Sequence, residues 1–249
     1  MEPIFDTILS VINILGLISF AAAGAMIAID KEADLFGVVF LSIITCFGGG
    51  ILRDIIGGHY IGKMLPAFFT ELKMEIIVCV CTALVVFLIA FVFKTWYIKE
   101  EGTVEKINNV LDALGLGVFA SVGTKMYTDL GSDISTELVP FIAITMGFIS
   151  AVGGSVVRDV LLRDIPLILR KRVYAVAAIL GSSAYYLVAE VIMKDMGSKD
   201  IVATICCVAV IFVIRMCATI FRWNMPKAID FSKVNLQNEK QKDKIKTKK

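Results

Sequence analysis

The stretch "CFGGGILRD", residues 46–54, closes an apolar run with three consecutive glycines and then sets Arg53 beside Asp54. Glycine disfavours helix by about 1 kcal/mol relative to alanine, and charged side chains are costly at bilayer depth. A second stretch, "AVGGSVVRD", residues 151–159, has the same build. An offset of 105 lays Gly48, Gly49, Gly50, Arg53 and Asp54 over Gly153, Gly154, Ser155, Arg158 and Asp159. The chain makes one awkward element twice.

The repetition extends outward. An offset of 99 lays "NILGLISFAAAG" (13–24) over "DALGLGVFASVG" (112–123), pairing Asn13 with Asp112, Gly16 with Gly115, Phe20 with Phe119 and Gly24 with Gly123. The offset changes because the connection after the fourth apolar run is longer. Two matched blocks in one order mark an internal duplication.

Composition places this duplication in a membrane. Of 249 residues, 57% are hydrophobic, and the mean hydropathy is +0.81. Seven runs approach the roughly 17–25 residues that a spanning helix needs, at about 7–29, 35–52, 76–93, 107–124, 138–157, 173–190 and 201–221. The first follows Glu2 and Asp6 with no basic residue and exceeds the apolar stretch of a signal peptide, so it reads as a retained helix. The expected fold is therefore an all-α polytopic membrane protein. Residues 1–225 form the membrane domain, with repeat 1 at about 7–93, repeat 2 at about 107–190 and a seventh helix at about 201–221. Residues 226–249 form a lysine-rich tail that reads as a disordered, solvated segment within reach of anionic lipid.

Three spans per half is an odd number, so the second half enters the bilayer from the opposite side. Inverted repeats of this kind build a site near the midplane, often from discontinuous helices. The glycine runs are the expected breaks in helices 2 and 5. Nineteen of the 25 Lys/Arg fall on the side of the carboxyl terminus, which places the amino terminus outside and the carboxyl terminus in the cytoplasm.

Several residues are candidates for the site, each with two readings. Thr45 and Ser150 lie three and four residues before two glycines, so hydroxyl and glycines share a helix face. That face suits a cation path lined by oxygens, or close packing of small residues. The pairs Arg53–Asp54 and Arg158–Asp159 either end helices 2 and 5 at the interface or reach back toward a pathway. Asp112, inside the fourth span after Asn108 and Asn109, is an interfacial residue or an inward carboxylate that attracts cations. Lys125 reads as an end-of-helix snorkeller or as a gating or lipid-binding residue.

Other chemistries find no support. The six cysteines all fall inside the expected spans, and His59 is the lone histidine, so the thiols read as small apolar residues without disulfides. No nucleophile has a base beside it, no zinc spacing occurs, and "FGGG" lacks the Lys-Ser/Thr of a phosphate loop. No enzyme, cofactor, metal or nucleic acid is expected.

"DALGLGVFASVG" (112–123), "GGSVVRDVLLRDIP" (153–166) and "FGGGILRD" (47–54) together resemble the trimeric intracellular cation channel family, in particular its prokaryotic members. Their duplicated domain is also labelled a glycine-transporter domain. The resemblance covers about residues 7–215. It implies seven helices as two inverted three-helix repeats plus one, a homotrimer with a pore in each protomer, and permeation of monovalent cations, chiefly potassium. It further implies kinked second and fifth helices lining that pore, at Gly48, Gly49 and Gly50 and at Gly153 and Gly154. Three departures stand out: Ser155 in place of a third glycine, Asn13 where an acid is common, and "GGHYIGKMLPAFFTELKM" (57–74). The expected function is a cation channel of the cell membrane, in contact with its lipids. The alternative is a secondary carrier of glycine or a similar small zwitterion.

Overall fold

The computed structural model describes residues 2–58, 65–70, 73–128, 137–170, 173–194, 196–221 and 223. The expected tail at 226–249 and part of the unusual segment at 57–74 lie outside the described residues.

The first half contains α1 (Glu2–Asp30), α2 (Leu35–Gly57), the short α3 (Ala67–Thr70) and α4 (Lys73–Val92). A linking helix, α5 (Lys94–Lys99), leads to α6 (Glu101–Lys125), α7 (Val139–Leu161), the short α8 (Leu167–Arg170) and α9 (Val173–Tyr186). The chain then continues through a π-helical turn, Leu187–Ile192, and ends its described helices with α10 (Lys199–Ile220). Among the described residues, seven helices are long and apolar enough to cross a membrane. At 1.5 Å per residue, about 20 residues cover the roughly 30 Å of hydrocarbon. Among the described residues there is no strand.

Local chemistry sets several boundaries. Asp34 caps α2, its Oδ1 accepting the Gly37 amide at 2.8 Å. Pro140 sits in the first turn of α7, where a missing N–H costs nothing. Pro66 and Pro166 precede α3 and α8, and their carbonyls accept the amides of Phe69 and Leu169 at 3.0 and 2.8 Å. The duplication thus includes a one-turn helix before each third span.

The expected breaks in helices 2 and 5 are not seen as lost helix. The α-helical pattern runs unbroken from Leu35 to Gly57 and from Val139 to Leu161. The glycines pass a neighbouring helix at backbone distance, and that packing outweighs their poor helix propensity. In consequence Arg53–Asp54 and Arg158–Asp159 lie inside these helices, one turn before their ends. Both readings of the pairs, ending the helices at the interface or reaching back toward a pathway, fit this position.

Helices α1, α2, α6 and α7 form the centre, with α2 packed chiefly on α7 and α1 chiefly on α6. Phe20, Ala21, Phe47, Leu116, Ala120, Ala151 and Val152 belong to the core between them. α4 packs on α1 and α2 in the first half, α9 on α7 and α6 in the second, and α10 covers α6 and α9. Only 17% of the apolar window of α4 is buried, against 61% for α1 and α6. Its outer face, with Leu84, Val85, Leu88 and Phe91, is exposed and apolar.

Candidate functional site

The two glycine runs meet. A Cβ on Gly48 would lie 3.1 Å from Gly154 Cα, and one on Gly153 would lie 2.8 Å from Gly49 Cα. A Cβ on Gly49 would strike the Ser150 carbonyl oxygen, and one on Gly154 the Thr45 carbonyl oxygen. Backbone therefore lies against backbone along an α2–α7 seam, the small-residue contact that membrane helices favour. Gly50 differs: the nearest atom to its Cβ position is Arg53 Nη2 at 3.8 Å.

Thr45 and Ser150 are buried in this seam. The Thr45 hydroxyl donates to the Leu41 carbonyl at 2.7 Å, and the Ser150 hydroxyl accepts from Arg53 Nη1 at 3.3 Å. Each also fills the space beside a glycine of its own half. A Cβ on Gly24 would lie 2.6 Å from Thr45 Oγ1, and one on Gly123 would collide with the Ser150 side chain. One contact is thus built twice, at the spacing of the repeat.

The Arg–Asp pairs are built twice as well. Arg53 donates through Nε and Nη2 to Asp54 Oδ1 at 2.8 and 2.7 Å, and Arg158 does the same to Asp159 Oδ1 at 2.9 and 2.7 Å. Adjacent helical residues do not face each other, so each guanidinium folds back to reach its neighbour. All four residues are buried. A buried arginine needs this partner, because an unpaired charge in a low dielectric costs several kcal/mol. Asp159 Oδ2 also accepts the Leu167 amide at 2.8 Å, tying α7 to the start of α8. Arg158 Nη1 has no hydrogen-bond partner among the described residues.

Asp112 is buried and paired with Arg215 of α10, whose Nη2 donates to Asp112 Oδ2 at 2.8 Å. The Arg215 guanidinium lies 4.4 Å from the centroid of the Tyr174 ring, within cation–π range. The Tyr174 hydroxyl lies 3.4 Å from Asp112 Oδ1 and 3.3 Å from Ser155 Oγ. α6, α7, α9 and α10 thus share one buried polar cluster, toward the end of the bundle where α10 terminates.

The counterpart region of the first half is open. A cavity of about 290 Å³ is lined by Ser10 and Asn13 of α1, Cys46, Phe47, Gly50, Arg53 and Asp54 of α2, Phe68 of α3, Glu75 of α4 and Phe119 of α6, among others. It lies on the membrane side of the amino terminus. Asn13, the counterpart of Asp112, faces space where Asp112 faces Arg215. The Glu75 carboxylate, the Asn13 amide and the Ser10 hydroxyl of this wall offer oxygen to a cation, while Asp54 is engaged by Arg53. A larger cleft, about 800 Å³, lies toward the opposite side, beside α5, and includes Asp30, Glu32, Glu101 and Glu105.

Lys125 sits at the end of α6 and pairs with Asp200 of α10 at 2.7 Å; Asp200 also accepts the Tyr185 hydroxyl at 3.0 Å. Beside it, Lys199 pairs with Glu190 of the π-helical turn at 3.0 Å. Just beyond α6, burial pushes the Tyr127 hydroxyl up to about 12. Among the candidate residues, the structure gathers the glycines with Thr45, Ser150 and Arg53. It sets Asp112 and Lys125 in separate clusters. Tyr174, Glu75 and the partnership of Arg215 were not singled out from sequence, and an arginine crossing an apolar span was the available signal for the last.

Comparison with known proteins places this geometry. A family model described as glycine transporter matches the chain twice, over residues 10–91 and 109–190. The chain is 33% identical over 180 residues to the inner membrane protein YadS of Escherichia coli (strain K12), spanning 70% of this chain and 78% of that one. It is 30% identical over 217 residues to the membrane protein YvgT of Bacillus subtilis (strain 168), spanning 86% and 94%. Its fold is similar to a structure solved to explain conductance through TRIC cation channels, with TM-score 0.68, 30% identity and coverage of 89% and 97%. It is equally similar to the trimeric intracellular cation channel orthologue from Rhodobacter sphaeroides, with TM-score 0.69, 28% identity and coverage of 87% and 100%.

Proposed function

Because this chain belongs to the trimeric intracellular cation channel family, in its prokaryotic branch, we propose that it is a cation channel that conducts monovalent cations, potassium first. The reading extends to a homotrimer in the cell membrane with one pore in each protomer. The observation that carries it is the first-half cavity, where Asn13, Asp54 and Glu75 line space beside the α2–α7 seam. Carboxylates at the mouth of a low-dielectric passage raise the local cation concentration, and oxygens in its wall replace part of the hydration shell. On this reading the seam is the gate region: ions pass only if α2 and α7 shift along their glycine contacts. Arg53 holds Ser150 across that seam and resists the shift.

Reconstitution into a planar bilayer in potassium salt tests the proposal. Unitary potassium currents are the expected result, with light scattering of the purified protein giving a trimer mass. Saturable glycine uptake into liposomes without unitary currents would overturn it in favour of a carrier. Orientation is part of the same proposal, with the amino terminus outside and the carboxyl terminus cytoplasmic. A reporter active only in the cytoplasm should give signal when fused after residue 249 and none after residue 131; the reverse pattern inverts the assignment.

A further inference from the structure

Cys46 and Cys79 stand outside the repeat. At the offset of the glycine runs Cys46 falls on Ala151, and at the offset of Pro66 and Pro166 Cys79 falls on Ile179. The packing of α2 on α4 nevertheless brings their sulfurs to 3.5 Å. The Cys79 thiol donates to Cys46 Sγ, and the Cys46 thiol donates to the Leu17 carbonyl at 3.5 Å. Both side chains are buried, and Cys46 forms part of the wall of the first-half cavity beside Phe47 and Gly50. Two sulfurs from two helices therefore face each other with an approach from one side.

Two sulfurs without a third donor select a narrow chemistry. No group of three His, Cys, Asp or Glu side chains among the described residues is placed to hold a metal ion, so a zinc tetrahedron lacks its ligands. Soft sulfur donors select Cu(I) and its heavier analogue Ag(I), and such closed-shell ions are content with two ligands in line. We propose that Cys46 and Cys79 form a two-sulfur binding site for one soft monovalent metal ion, Cu(I) or Ag(I), reached from the first-half cavity. An ion between the sulfurs needs them slightly farther apart than 3.5 Å, which side-chain torsion supplies.

The exchange balances simply. The ion bonds to both sulfurs, one thiol releases its proton to water in the cavity, and the other stays a neutral thiol donor. A +1 ion replaces a proton, so the net charge of the site is unchanged. Loss of both protons would leave a buried negative charge, which a low-dielectric site opposes. Binding therefore strengthens about tenfold per pH unit, as for release of one proton. An ion held there narrows the cavity beside Gly50 and reduces cation flux; this last consequence rests on the channel reading, whereas the binding does not.

The test uses the full-length protein in detergent, with ascorbate-reduced Cu(I) in competition with a chromophoric Cu(I) chelator. Wild type should hold one Cu(I) per chain that Cys46→Ser and Cys79→Ser each lose and Cys81→Ser keeps, with affinity rising about tenfold per pH unit. Binding unchanged in both serine variants, or independent of pH, overturns the proposal. X-ray absorption of Cu(I)-loaded wild type needs no variant to fold: two sulfur neighbours support the site, and nitrogen, oxygen or more than two sulfurs refute it. In liposomes, Ag(I) should lower potassium flux through wild type and spare Cys79→Ser. Absence of flux from metal-free wild type would remove the channel reading while the metal site stands; flux with no Cu(I) held would do the opposite.

Discussion

Phe20 and Phe119 stack ring on ring, their centroids 5.2 Å apart and their planes within 9° of parallel, and they hold the same position in the two halves. Residues related by a twofold operation meet only close to its axis, so the pseudo-axis of the repeat runs between these rings. Gly49 and Gly154 meet in the same way at the α2–α7 seam, where a Cβ on Gly49 would lie 3.2 Å from Gly154 N. A double-mutant cycle of Phe20→Ala and Phe119→Ala should show a coupling of roughly 0.5–1.5 kcal/mol, measured by reversible unfolding from detergent. Strict additivity would mean that the rings do not support one another.

The seam makes the glycines unequal. Gly49→Ala and Gly154→Ala force α2 and α7 apart, and should lower thermal stability and potassium flux together. Gly50→Ala meets no crowding and adds helix propensity of about 1 kcal/mol, so it should fold at least as well as wild type. Thermal midpoints in mild detergent check the ranking; equal midpoints for Gly49→Ala and Gly50→Ala would dismiss the backbone contact as the reason for these glycines.

The Asp112–Arg215 pair anchors α10 to the bundle. Arg215→Met leaves a buried carboxylate unpaired and should destabilise by about 3–5 kcal/mol. Combining it with Asp112→Asn should restore much of the loss. If the double variant is as unstable as the sum of the singles, the pair is not what holds α10.

Glu75 of α4 contributes a carboxylate to the cavity wall. Glu75→Gln should lower potassium conductance at low salt, with the difference fading toward 1 M, where the screening length falls to about 3 Å. A deficit that persists at high salt would mean that Glu75 shapes the passage rather than charging it.

Seven spans and a duplication are legible in the sequence because both are written locally, as apolar run length and as motifs at a fixed offset. The role of the glycine runs is not. Gly48–Gly50 reads equally as a break or as a contact, and only the opposing Gly153–Gly154 decides between them. Arg215 is visible as a charge in an apolar span, but its partner lies 103 residues away, and such pairing leaves no periodic trace. The π-helical turn at Leu187–Ile192 likewise has no signal in composition, although Glu190 within it meets Lys199.

The buried arginine of α10 has one further consequence. The seventh helix has no counterpart, so its guanidinium reaches Asp112 while Asn13 keeps an open cavity before it. A molecule folded from two like halves thereby acquires a polarity. At one end of the bundle this repeat position opens on an oxygen-lined hollow, and at the other the same position is sealed by an ion pair, with the larger cleft set apart beside α5. Anything crossing by way of these two regions encounters them in opposite order from the two directions, so symmetry of fold does not carry over into symmetry of passage.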